Sequence, residues 1–270
     1  MGNDFKYIDV HTHVNLDAFH EDWKEVEEHT LREGVAHINV GTGKETSLRA
    51  SELAREFGGG VYATVGLHPV RAGGSHDNDG SEPETFDDAY YRSLALGKEV
   101  VAIGECGFDY YRVEKETKER QEEAFIAQIQ LANDLGKPLM LHIRDAGGSM
   151  GAYEDALSVV KAHAKVRGNV HFFAGTYDIA KQFWDIGYTT SFTGVITFAD
   201  QYDEVVRKAP IEMLHAETDA PYVAPKPFRG QRNEPLHVRE VYKRIAEIRG
   251  EDTEAVRLAL LENARKLFKI

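Results

Sequence analysis

The chain has 270 residues, 42% of them hydrophobic, with a formal charge of -13 and a single cysteine. That length suits one large α/β domain or two small ones around a sizeable core. The acidic balance argues against broad electrostatic adhesion to nucleic acid or anionic membrane, which rests on clustered Lys and Arg, and the lone Cys106 excludes an internal disulfide and fits a reducing compartment.

The opening "MGNDFKYIDV" has no basic segment followed by an apolar one, and no later run approaches the ~20 apolar residues of a membrane helix. Lys6 also breaks the myristoylation pattern. A cytoplasmic protein without a membrane anchor is expected. The first strand is "KYIDVHTH", where side chains two apart point the same way, so His11 and His13 converge at its end. A helical pattern "DWKEVEEHTLREG", a strand "AHINVGT", a helical pattern "TSLRASELAREFG" and a strand "VYATVGLHP" ending at His68 follow. Residues 71 to 84, "RAGGSHDNDGSEPE", lack apolar periodicity and read as a mobile loop.

Next comes the strand "VVAIGECGFD" with Glu105, then "ETKERQEEAFIAQIQLANDLGKP", a helix stopped by Gly136 and Pro138. Further strands are "PLMLHIR" with His142, "NVHFF" with His171, "YTTSFTG", and "MLHAETD" with Asp219. This βα alternation, with about eight strands and no Gly-rich dinucleotide fingerprint after the first, predicts a closed (β/α)8 TIM barrel. No repeat or linker divides it, so residues 1–270 read as one domain.

In such a barrel the functional groups stand where the strands end. His11, His13, His68, Glu105, His142, His171 and Asp219 all fall at equivalent places. Any one of these histidines also reads as a satisfied core residue; the repetition across strands points to metal. Imidazoles and carboxylates gathered at one mouth carry a heavy desolvation cost unless a cation compensates them. The donor set suits two divalent ions, Zn²⁺, Mn²⁺ or Fe²⁺, or Mg²⁺ where carboxylates and water dominate, with His11 and His13 as half of a first site, Glu105 as a bridge, and His142 and His171 completing a second. Nucleophile schemes fare worse: Ser149 and Ser191 lack a strained elbow motif, and Cys106, next to Glu105 on its strand, faces the helices as a structural residue.

The blocks "DVHTH", "VGLHP", "IGECGFDYY", "RQEEAFIAQIQLANDLGKPLMLHIRDA", "SFTGVITF", "ETDAPYVAPKPFRGQRNEP" and "ENARKLF" resemble, in order and along the whole chain, the TatD family of metal-dependent deoxyribonucleases. The resemblance implies a binuclear site with His11, His13, Glu105 and Asp219 around one metal and Glu105, His142 and His171 around the other. It places His68 on the substrate side or in the outer shell, and Arg144 after the fifth-strand histidine. Arg229 and Arg232 would offer bidentate donors to phosphate. Two departures bear on substrate preference: "HFFAG" stands where the family usually has "HCFTG", and the segments after His68 and Arg144 are unusual.

The implied activity is hydrolysis of DNA phosphodiester bonds, by 3′–5′ removal of nucleotides from single-stranded ends. Asp219 would accept the proton of the attacking water, with Glu105 beside it. A charge of -13 favours local capture of a strand end over a long duplex track. A hydrolase of small esters, lactones or amides is the rival enzyme, because activated water also attacks a carbonyl. A non-catalytic barrel binding metal or a partner is the rival of another class. No obligatory protein partner is implied.

Overall fold

The computed structural model describes residues 5–74, 84–112 and 117–270. Eight strands form one sheet in the order of the chain, each parallel to its neighbour: β1 (Tyr7–Thr12), β2 (Val35–Val40), β3 (Val61–Val65), β4 (Val100–Asp109), β5 (Leu139–Arg144), β6 (Gly168–Val170), β7 (Thr189–Phe192) and β8 (Leu214–Ala216). Helices intervene: α1 (Trp23–Arg32), α2 (Lys44–Phe57), α3 (Pro69–Gly73), α4 (Asp88–Ala95), α5 (Lys118–Leu135), α6 (Gly151–His163), α7 (Tyr177–Asp185) and α8 (Asp203–Lys208). Two more, α9 (Val238–Arg249) and α10 (Thr253–Phe268), follow the last strand. This is the expected TIM barrel. Strands covered on both faces read as continuous apolar runs, and every residue of β2 and β4 is buried.

The barrel is drawn shut between its first and last strands by bonds just beyond the ladder. Asp219 N–H donates to His11 O at 2.9 Å, and His13 N–H to Ala220 O at 2.8 Å. Asp9 accepts from the backbone and hydroxyl of Thr218 at 2.9 and 2.5 Å. These bonds fix His11, His13 and Asp219 as one unit.

Local chemistry sets the element ends. Gly136, in the left-handed region at φ 63, ends α5 with its N–H on Ala132 O, and Pro138 then leads into β5. Asp87 caps α4 and Asp252 caps α10 through their side chains. Residues 71–73, read as loop from sequence, instead complete α3: Pro69 suits its first turn and His68 caps it by accepting Val70 N–H. The rest of the supposed loop, 75–83, lies outside the described residues.

Packing around the barrel is dominated by one large apolar cluster that includes Tyr91, Phe108, Phe125, Phe173 and Phe183. Cys106 is buried within it, and burial pushes its thiol well up, away from nucleophilic use. His215 on β8 is completely buried, 6.0 Å from the Phe268 ring, and among the described residues neither ring nitrogen has a hydrogen-bond partner. Burial lowers its pKa from 6.5 to about 3. The unfolded chain therefore takes up a proton near pH 6.5 that the folded protein refuses, and stability falls as pH drops through that window. His215→Leu should remove about 3 kcal/mol of the acid destabilisation between pH 7 and 4. Denaturant titrations at several pH values check this; parallel stability curves for variant and parent would refute it.

Candidate metal centre

Two glycines let the strand that carries the central carboxylate lie against its neighbour. Gly104 and Gly107 sit at φ 141 and 138, and a Cβ on either would come within 2.3 and 2.2 Å of the Met140 and His142 carbonyl oxygens. Glu105 is thereby set among five imidazoles from four strand ends. Its Oε1 lies 2.8 Å from both His142 Nδ1 and His171 Nε2, and 3.5 Å from His68 Nε2. Its Oε2 lies 3.5 Å from His11 Nε2 and 3.9 Å from His13 Nε2. Asp219, at φ 53, points Oδ1 at His13 Nε2 from 3.3 Å and at His11 Nε2 from 3.7 Å.

Burial alone would raise Glu105's carboxyl, but His171 first, with the imidazoles of His68 and His11 beside it, holds it well below the usual range. Asp219 behaves alike: burial opposes its ionisation, while the hydrogen bond from His13 and the neighbouring imidazoles lower its pKa. Burial and the nearby His171 lower His11. His171 rises well above its ordinary value because Glu105 and Glu217 outweigh burial.

The donor set fits divalent metal. Ligand atoms of His11, His13 and Glu105, of His11, His171 and Asp219, and of His68, Glu105 and His142 form three groups, each with all atoms within 4.8 Å of one another. Imidazole nitrogens face each other at 3.1 Å in His11 and His13 and at 3.3 Å in His142 and His171. Facing lone pairs repel unless a proton or a cation lies between them. Of the two places the resemblance implies for His68, substrate side or outer shell, the structure sets it in the cleft lining with Nε2 3.5 Å from Glu105 Oε1. Its Nδ1 accepts Val70 N–H at 3.1 Å, and burial with the nearby His142 charge lowers its pKa to about 3. The neutral ring thus carries its proton on Nε2, facing Glu105, as a donor that steadies the carboxylate.

Two buried carboxylates that the sequence reading passed over stand behind the histidines. Asp109 Oδ2 lies 3.0 Å from His142 Nε2, and its other oxygen accepts the N–H groups of Tyr111 and Arg112 at 2.9 and 2.7 Å. Glu217 Oε1 lies 3.4 Å from His171 Nδ1. Parity was the available signal, since Asp109 follows Glu105 by four residues along a strand and Glu217 precedes Asp219 by two.

The cluster forms the floor of a cleft of about 1140 Å³. Arg49, Arg71, Arg112 and Arg144 line it, together with Trp23, Phe172 and Tyr222. Arg144 stacks on Tyr111 at 4.1 Å and Arg49 on Trp23 at 4.4 Å. The two arginines chosen from sequence are engaged elsewhere. Arg232 forms a fork on Asp22 at 2.8 and 2.6 Å and stacks on Phe19, while Arg229 donates to Ala224 O and stacks on Phe198.

Residues 8–269 match the family described as TatD related DNase. The chain is 36% identical over 268 residues to an uncharacterized metal-dependent hydrolase of Bacillus subtilis, YabD, covering 97% of this chain and 99% of that protein. It is 33% identical over 268 residues to the 3'-5' ssDNA/RNA exonuclease TatD of a Rahnella strain, covering 95% and 97%. Among solved structures, the TatD homologue YJJV of Escherichia coli superposes with a TM-score of 0.82 at 28% identity over 98% of each chain.

Proposed function

The chain belongs to the TatD family of metal-dependent hydrolases, and from that premise we propose that it cleaves phosphodiester bonds at single-stranded DNA ends, 3′ to 5′, as one catalytic domain in the cytoplasm. The observation that carries the reading is the placement of Glu105, its two oxygens turned to different sets of histidines at the floor of an arginine-lined cleft. His11, His13, Asp219 and Glu105 would hold one divalent ion, and Glu105, His142 and His171 the other. Such ions lower the pKa of water toward neutrality and offset charge on phosphoryl oxygens. Asp219 accepts the proton released as water attacks. His68 and Asp109 keep Glu105 and His142 in place, and the cleft arginines hold the phosphate. The name of the Rahnella relative supports the choice of a single-stranded substrate.

The test is digestion of end-labelled single- and double-stranded oligonucleotides after metal removal and separate readdition of Mg²⁺, Mn²⁺ and Zn²⁺, beside a panel of small esters and lactones. Metal-restored trimming of single strands from the 3′ end is expected. Ester or lactone turnover without oligonucleotide cleavage would overturn the reading.

Phosphate capture falls to Arg112 and Arg144, since the Arg232 fork is already filled by Asp22. Changing Arg112 and Arg144 together to Ala should raise KM for a single-stranded oligonucleotide ~10-fold or more and flatten the salt dependence of binding by about one unit of slope per guanidinium. Arg232→Ala should instead cost ~1 kcal/mol of stability. Kinetics across a salt series with parallel thermal melts check both; a KM effect confined to Arg232→Ala would reverse the assignment.

A further inference from the structure

Glu217 is a fully buried carboxylate that the proposed chemistry does not use. Both of its oxygens are engaged. Oε1 accepts the backbone N–H of Phe172 at 2.6 Å and faces His171 Nδ1, and Oε2 accepts the Ser191 hydroxyl at 2.6 Å. Ser191 is fixed in turn by the Asn169 amide at 2.7 Å, and Asn169 Oδ1 accepts from the Thr189 hydroxyl at 3.0 Å. The network ties the ends of β6, β7 and β8 together behind the metal cluster.

Both Glu217 oxygens already act as acceptors, so a ring nitrogen that faces Oε1 at 3.4 Å is placed to donate to it. Among the described residues His171 Nδ1 has no hydrogen-bond partner of standard geometry, and Glu217 Oε1 is the carboxylate oxygen it faces. The opposite nitrogen, Nε2, faces Glu105 Oε1 at 2.8 Å and His142 Nδ1 at 3.3 Å, where the proposed ion would take its lone pair. The same oxygen that meets Nδ1 also holds the N–H of Phe172, a bulky residue at φ 43, where side chains other than glycine rarely sit. That backbone turn brings Phe172 into the wall of the cleft.

We propose that Glu217 is a positioning residue: it holds His171 as the Nδ1–H tautomer with Nε2 free for metal, and fixes the turn that carries Phe172 beside it. This rests on the metal-hydrolase reading above. Asp109 behind His142 is a second instance of the same arrangement. Outer partners of this kind are worth ~10–100-fold in metal affinity.

The experiment measures Zn²⁺ binding to the full chain by chelator competition, with thermal melting of the metal-free protein in parallel. Glu217→Gln keeps volume and an acceptor for Phe172 N–H but removes the charge behind the ring. It is expected to weaken the second Zn²⁺ by ~10-fold or more, spare the first, and leave the metal-free melting temperature nearly unchanged. In a His171→Ala background the same substitution should change Zn²⁺ affinity no further. A lowered melting temperature with unchanged Zn²⁺ affinity would make Glu217 purely structural and overturn the proposal. If Glu217→Gln does not fold, Ser191→Ala frees Oε2 while keeping the carboxylate; unchanged second-site affinity there overturns it equally. A parent protein that binds no Zn²⁺, Mn²⁺ or Mg²⁺ would remove the metal reading itself, a result distinct from normal binding in parent and variants alike.

Discussion

Replacing Glu105 with alanine is expected to strip divalent metal from both positions, whereas His171→Ala should weaken mainly the second. The two oxygens of Glu105 face different histidines, Oε2 toward His11 and His13, Oε1 toward His142 and His171. It is also the carboxylate that holds the surrounding imidazoles near one another, being nearly fully buried at 3% exposure. Without it, five imidazoles are left with Asp219 beside them and Asp109 and Glu217 behind His142 and His171, and binding a doubly charged ion there loses its central anion. The loss of affinity should exceed the ~10–100-fold typical of an outer partner. His171→Ala leaves His11, His13, Glu105 and Asp219 untouched, so one ion per chain should remain. Stoichiometry by elemental analysis on the purified variants separates the cases. Two ions retained in Glu105→Ala would end the bridging assignment, and loss of both in His171→Ala would show that the two positions do not fill independently.

The barrel was legible because its strands are buried on both faces and therefore read as apolar runs, with amphipathic helices between them. The candidate metal ligands stood out for a related reason: polar residues after such runs contrast with the apolar run before them. Glu105 and His142 each follow an unbroken apolar or small run, "VVAIG" and "PLML". What sequence could not weigh is competition between partners far apart in the chain. Arg232 looks like a free phosphate donor beside Arg229, yet its fork belongs to Asp22, 210 residues earlier. Conversely, Arg49, Arg71 and Arg112 stand in unremarkable polar stretches and reach the cleft only because the barrel gathers their loops. Asp109 and Glu217 were hidden differently. They share motifs with Glu105 and Asp219, and a motif does not say which of its carboxylates meets the ion and which stands behind a histidine.

Asp219→Asn should lower kcat by ~10²–10⁴-fold while leaving folded protein that still binds metal, as expected for loss of a positioned base. Asparagine keeps the shape of the side chain and one oxygen donor. It cannot take a proton from the attacking water. The structure makes this substitution a clean one: the backbone of Asp219 is held by its own N–H on His11 O, by Asp9 on Thr218, and by His13 N–H on Ala220 O, none of which involves the Asp219 carboxylate. The left-handed backbone at φ 53 is also one that Asn tolerates better than most residues. The carboxylate itself is kept ionised despite burial, because the hydrogen bond from His13 and the imidazoles of His11 and His171 hold its pKa low. A base with a depressed pKa is weak in the ground state, so its value lies in standing beside the water and in stabilising the proton only as the new P–O bond forms. A residue that acts only as a ligand behaves differently, since its loss is made good when metal concentration is raised to saturation. The deciding measurement is kcat for Asp219→Asn across a metal titration with occupancy followed in parallel. A deep defect at full occupancy establishes the base, and turnover near that of the parent protein at full occupancy reduces Asp219 to a ligand.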